Sequence, residues 1–264
     1  MDGAASGDEH DEPHKGGRGG GLMTCAIGDV HGQIGKLEAL LDRCARYSAG
    51  GALQLVFIGD YVDRGPNSRA VVELLVDLLQ RNPGDVICLS GNHEAVVLAA
   101  ATDRLDTLPD KPTMDEWIGG NGGGAATLAS YGVTRARDLP PEHLAWMAAL
   151  PLFHDDGTRF FTHAGVRPGH SLDRQRKDDL LWIREPFLSY TGMFERLIVH
   201  GHTPVAARIP DLRANRLNLD SGAGYDGPLT AAVFDDRSRD PIAFLTDRGD
   251  VRELRANAES GGHD

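Results

Sequence analysis

Five short stretches of this sequence carry residues able to hold a cation or move a proton, and each follows an apolar run. GDVHG (28–32) follows Ile27, GDYVDRG (59–65) follows Ile58 and SGNHE (90–94) follows Leu89. THAG (162–165) follows Phe161, and HGHTP (200–204) follows Val199. Taken singly each is weak, because Asp or Asn beside glycine is ordinary turn chemistry. Together they are not, since turns favour Asn, Asp, Ser and Gly and have no use for repeated histidine. An inventory of Asp, His, Asp, Asn, His and His suits divalent ions of intermediate softness, such as manganese, iron or zinc. It is too rich in imidazole for calcium and lacks the cysteines of a structural zinc site. GDYVDRG adds a question of its own: Asp60 and Asp63 read as a solvated turn, as two ligands of one ion, or as two residues with different jobs.

The elements that must position these residues alternate. Met23–Ile27, Leu53–Ile58 and Val86–Leu89 read as strands. Ile34–Tyr47 carries Ile34, Leu37, Leu40 and Leu41 at helical spacing. Ser68–Arg81 reads as a helix between Pro66 and Pro83, and Glu94–Ala101 as a third. Such a βαβαβα order predicts a parallel sheet covered by helices. In open α/β sheets ligands bind at the carboxyl ends of strands, so the five motifs should converge. Residues 102–140, with their prolines and GGNGGG, read as an insertion or mobile excursion. Glycines 119–124 read as a flexible loop rather than a phosphate nest, because no strand leads into them. The second half is strand-rich, at Arg159–Thr162, Leu197–Val199, Arg216–Leu219, Thr230–Phe234 and Ile242–Leu245. The expectation is one α/β domain with two sheets over 22–252, between loose tails at 1–21 and 253–264.

Bulk properties narrow the function classes. A formal charge of −12 over 264 residues argues against nucleic acid or an anionic membrane as the main partner. No apolar run approaches the ~20 residues of a membrane span. The first residues are acidic and glycine-rich without the apolar segment of a signal peptide, so a cytoplasmic protein is expected. His10 and His14 there read as solvated tail residues. Cys25, Cys44 and Cys88 lie in apolar surroundings without a CxxC and read as small buried core residues.

GDVHG, GDYVDRG, GNHE, HAG and GHTP, in that order and spacing, resemble the calcineurin-like metallophosphoesterases. More narrowly they are similar to the PPP-type serine/threonine protein phosphatases, bacterial and bacteriophage lambda enzymes included, over roughly residues 23–234. The resemblance implies a β-sandwich of two mixed sheets flanked by helices, with two divalent metal ions at the strand ends. Manganese is the first expectation, with iron or zinc as alternatives. It implies Asp29 and His31 as ligands of the first metal, Asp60 as the bridging carboxylate, and Asn92, His163 and His202 as ligands of the second. A metal-bridging hydroxide would attack phosphorus directly, without a phosphoenzyme. His93 matches the general acid and Asp63 the carboxylate that keeps it protonated beside two cations.

Arg64 and Arg184 match the residues that hold phosphate oxygens, a task suited to arginine's planar fork. For Arg184 an ordinary ion pair with Glu185 or Asp178 is the alternative. His200 is expected in the core or behind the ligands, Trp182 in packing, and Tyr225 is a weaker candidate for the pocket wall. The function implied is hydrolysis of a phosphoprotein or phosphopeptide, with the oligomeric state left open. Diadenosine tetraphosphate hydrolysis shares the scaffold and is the nearest alternative; as a family those enzymes tend to lack the counterpart of Asp63 and to show GNHD rather than GNHE. A catalytically inactive phosphate-binding module is the other alternative. No cysteine is followed six residues later by arginine, and there is no GxxxxGK[ST], so phosphocysteine and P-loop chemistries lack their motifs.

Overall fold

The first strand, β1 (Met23–Ile27), is apolar and buried from Thr24 onward, as a strand covered on both faces requires. The computed structural model describes residues 21–253 apart from 121, 237 and 250. The expected tails therefore lie outside the described residues, except for their inner ends.

The chain continues through α1 (Ile34–Ser48), β2 (Leu53–Phe57), α2 (Ser68–Arg81), β3 (Val86–Cys88) and α3 (Asn92–Ala101). Three more helices follow, α4 (Met114–Ile118), α5 (Gly124–Tyr131) and α6 (Pro141–Ala149), then β4 (Phe153–Asp155), β5 (Arg159–Thr162) and α7 (Lys177–Trp182). The rest is β6 (Leu197–His200), β7 (Asp211–Leu212), β8 (Arg216–Asn218), β9 (Thr230–Phe234), β10 (Ala243–Thr246) and β11 (Val251–Glu253). One mixed sheet has the order β11-β10-β9-β1-β2-β3, the other β4-β5-β6-β8-β7. Strands β1, β2 and β3 run parallel, as do β5, β6 and β8, so the motifs that follow them leave from matching ends.

Alternation along each strand assigns its two faces. Ala26, Val56, Phe161, Val199, Ala232 and Phe234 meet in the core between the sheets. Their neighbours Cys25, Ile27, Phe57, Ala231 and Val233 face the helices α1 to α3 instead. On the outer face of the second sheet, Phe160 and Ile198 pack with Leu180 and Phe187. A one-residue slip would exchange the two core sets, so register is strongly specified. All three cysteines are buried and free, as expected. Among the described residues, no helix is long and apolar enough to cross a membrane.

Residues 102–140 correct one expectation. This segment is not an excursion: it carries α4 and α5, and Trp117 and Leu128 join the core over α2 and α3. Glycines 122 to 124 permit close approach. A Cβ on Gly124 would collide with the Trp117 indole, and one on Gly123 with the Arg64 backbone. The Arg64 amide donates to Gly123 O at 3.1 Å, which ties the segment to the GDYVDRG turn.

Candidate metal-binding active site

The five motif loops do converge, and backbone bonds hold them together. The amides of Val30 and His31 both donate to Asp60 O, at 3.0 and 2.8 Å, and Gly32 N donates to Tyr61 O at 2.8 Å. Gly201 N donates to His163 O at 2.8 Å, and His202 N reaches the Asp29 carboxylate at 3.1 Å. Glycine is required where these loops touch: a Cβ on Gly91 would collide with the Asp60 carboxylate. His31, Asp60, Asp63, Arg64 and His202 all adopt positive φ, between 47° and 69°. Such conformations cost an L-residue about 1–2 kcal/mol each and persist where the surroundings over-determine them.

Hydrogen bonds orient the imidazoles. His31 Nδ1 lies 2.9 Å from Val62 O, and His163 Nδ1 lies 3.0 Å from Ile58 O. A carbonyl only accepts, so each Nδ1 carries the proton and each Nε2 of the neutral ring turns a lone pair into the site. Burial lowers the pKa of His31, His163 and His202, which favours those neutral rings. His163 Nε2 lies 2.8 Å from Asn92 Oδ1 and 3.4 Å from Asp60 Oδ1, and His31 Nε2 lies 3.4 Å from Asp60 Oδ2. The Nε2 of His202 is buried without a partner among the described residues.

Lone pairs thus face carboxylate and amide oxygens, an arrangement that repels unless a cation lies among them. Burial, then Asp220, then Asp60 push the Asp29 carboxyl well above its ordinary pKa. Asp60 runs the other way: burial would raise it, but His163, His93, His31 and Arg64 outweigh burial and hold it below the carboxylate range. Ligand atoms of Asp29, Asp60 and His163 lie within 4.8 Å of one another, as do those of His31, Asp60 and His93, so Asp60 belongs to both groups. Donors of this type and burial fit divalent metal ions.

Asp63 lies apart from both groups and faces His93. Its Oδ2 accepts from His93 Nδ1 at 2.7 Å and from Trp117 Nε1 at 2.9 Å, while Oδ1 accepts from Thr127 Oγ1 at 2.6 Å. Burial would lower the His93 pKa, but Asp60 and Asp63 together outweigh it and raise it. Arg64 donates to His31 Nε2 and its other terminal nitrogen lies 3.1 Å from His93 Nε2, with its guanidinium 4.9 Å from the Tyr225 ring centre.

Arg184 is exposed, and its charge is felt at His202. Among the described residues it pairs with neither Glu185 nor Asp178. His200 is buried against Phe187, with Nδ1 3.1 Å from Gly201 O and burial lowering its pKa to about 3, behind the ligand atoms as expected. Trp182 is half-buried and lines a cleft that His93 also lines.

Sequence reasoning missed four residues. Glu94 is fully buried; its Oε2 accepts from Asp60 N and Gly91 N at 2.9 and 2.8 Å, and its Oε1 from Tyr61 N at 2.8 Å. It thereby fixes the turn that carries Asp60. Its position three residues after Gly91 is a capping-box spacing, which was a legible signal. Asp220 is buried beside the carboxylates, with one oxygen unpartnered among the described residues and burial raising its pKa to about 6. Trp117 and Thr127 come from the glycine-rich segment, and nothing local in the sequence points to Asp63.

The family model described as calcineurin-like phosphoesterase matches residues 23–234. A serine/threonine-protein phosphatase 1 from Salmonella typhimurium is 30% identical over 213 residues, covering 78% of this chain and 89% of that protein. A symmetrical bis(5'-nucleosyl)-tetraphosphatase from Dechloromonas aromatica is 31% identical over 158 residues, 59% of this chain and 48% of its own length, so the match spans about half of that relative. An asymmetrical bis(5'-nucleosyl)-tetraphosphatase from Anoxybacillus flavithermus is 27% identical over 79% of this chain and 89% of its own. A solved cold-active protein-tyrosine phosphatase from a Shewanella species has the same fold, with a TM-score of 0.59 at 19% identity over 89% of this chain and 81% of that one.

Proposed function

Because this chain belongs to the calcineurin-like phosphoesterase family, we propose that it is a dimetal phosphomonoester hydrolase acting on serine or threonine phosphate in proteins. The observation that supports the monoester reading is the buried contact of 2.7 Å between His93 Nδ1 and Asp63 Oδ2. An alkoxide is a poor leaving group, so its hydrolysis gains roughly 10²–10⁴ in rate from a positioned acid. Asp63 holds the Nδ1 proton, which leaves Nε2 as the position that delivers a proton to the departing oxygen. Arg64 and Arg184 bind the phosphate oxygens and orient the ester for in-line attack.

Asp29, His31, Asp60, Asn92, His163 and His202 would hold two divalent ions. When bound, these would supply charge neutralisation at the phosphoryl group and an activated water. Loading with manganese at 100 times the Kd of each site should stabilise the fold by about 2.7 kcal/mol per ion and raise Tm by roughly 5–11 °C for each. Asp60→Asn should abolish that rise and Asp63→Asn should keep it. Equal loss in both variants, read by calorimetry and metal content, would show that the two aspartates do not divide their work.

Relatives named as bis(5'-nucleosyl)-tetraphosphatases make dinucleoside polyphosphate hydrolysis the second reading. Turnover of a phosphoserine peptide, a phosphotyrosine peptide and diadenosine tetraphosphate by the manganese-loaded protein decides between them. The phosphoserine peptide is expected to give the highest kcat/KM, and dominant cleavage of the dinucleotide would overturn the assignment.

A further inference from the structure

We propose that the cleft beside His93 receives the leaving group and selects a peptide carrying a cationic residue next to the phosphorylated one. This rests on the monoester reading, because it takes His93 to protonate the leaving oxygen. The departing portion of the substrate must then lie on the His93 side of the phosphate. A cleft of ≈ 320 Å³ lies there, with Arg64, Asn92 and His93 among its lining residues. That size suits a small ligand or one or two side chains.

Its walls are apolar, formed by Val96, Pro112 and the two indoles of Trp117 and Trp182. Two carboxylates at its edge, Asp110 and Glu116, are exposed and without an ion-pair partner among the described residues. Glu116 is fixed by its capping box: Thr113 N and Oγ1 donate to its Oε2 at 2.7 and 2.9 Å. The adjoining hollow is balanced, with Asp106 offset by Lys111 and Asp103 engaged by Arg137, so the negative edge is that of Asp110 and Glu116.

Apolar walls under a negative edge favour an aliphatic stem ending in a positive charge, such as lysine or arginine. The same edge repels a nucleoside polyphosphate leaving group, which brings several negative charges to the cleft. All of these edge residues come from the 102–140 segment, so this part of the chain would set what the hydrolytic centre accepts.

The test uses two phosphoserine peptides, identical except for arginine or glutamate beside the phosphoserine, with the manganese-loaded protein. The arginine peptide is expected to give a kcat/KM roughly 3–10-fold higher at low ionic strength, as exposed charge pairs allow. The ratio should fall toward one as salt rises, and also in the Asp110→Asn/Glu116→Gln double variant, where glutamine keeps the helix cap. A ratio of one in the unaltered protein, or one that survives both salt and the double variant, would overturn the cleft assignment while leaving monoester hydrolysis intact. No turnover of either peptide alongside rapid cleavage of diadenosine tetraphosphate would remove the functional reading itself, and the cleft assignment with it.

Discussion

Replacing His93 by asparagine is expected to lower kcat on a phosphoserine peptide by about 10²–10⁴, and on p-nitrophenyl phosphate by no more than about tenfold. The difference follows from the leaving groups: nitrophenolate departs without help, whereas a serine alkoxide needs its proton. His93 is 7% exposed and would be neutral if burial acted alone, so its charge depends on neighbouring carboxylates. On the proposed reading bound ions would neutralise Asp60, so Asp63 would be the group that sustains the imidazolium.

The sign of the pH dependence follows. With His93 as the proposed acid, turnover needs it protonated, so the rate should fall as pH rises through its pKa. Asp63 raises that pKa, so Asp63→Asn should move the alkaline limb of the kcat profile to lower pH, with metal content unchanged. Trp117 and Thr127 hold the same carboxylate, and their loss should move the limb in the same direction by less. Identical losses of His93→Asn on both esters would show that His93 is not the acid.

The second large effect concerns Glu94 and is one of stability. Its carboxylate accepts from the amides of Asp60, Tyr61 and Gly91 in a site shut off from water. Glu94→Ala leaves those buried donors unmatched, at about 1–3 kcal/mol for each that finds no other partner. A loss of about 3–5 kcal/mol is expected, or roughly 6–20 °C in Tm for a chain of this size. Burial and the Asp60 charge push Glu94 up to about 7, against the amide bonds that hold it down, so the cost should be measured at pH 8, where the carboxylate form prevails. Denaturant unfolding of the metal-free protein isolates the fold from any change in ion binding. A loss below about 1 kcal/mol would mean that the Asp60 turn holds its positive φ without Glu94.

Much of the sheet was legible, and so was the set of motif loops that meet at its strand ends. Arg159–Thr162 and Thr230–Phe234 agree with their expected strands residue for residue, and Ser68–Arg81 with its helix, because apolar period and flanking proline are local signals. The short strands β4 and β7 escaped notice because they lie at the sheet's edges, where few of their residues are buried. The glycines at 119–124 were misread because glycine looks the same whether it permits motion or permits contact. Only the Trp117 indole against Gly124 tells the two apart.

What these 264 residues settle on their own is the chemistry: five strand-end motifs whose residue types hold cations and move protons, in an order that names a family. The division of labour that the resemblance implies within GDYVDRG depends on surroundings that only tertiary structure supplies. Asp60 and Asp63 are the same residue type in the same turn, and both are buried with positive φ. They differ in what the fold brings to each. Asp60 meets imidazole lone pairs from two distant loops, whereas Asp63 meets one imidazole, an indole N–H and a hydroxyl. A carboxylate's role is set by the charges and donors around it, and those arrive from residues 31 to 163, at separations no local pattern records.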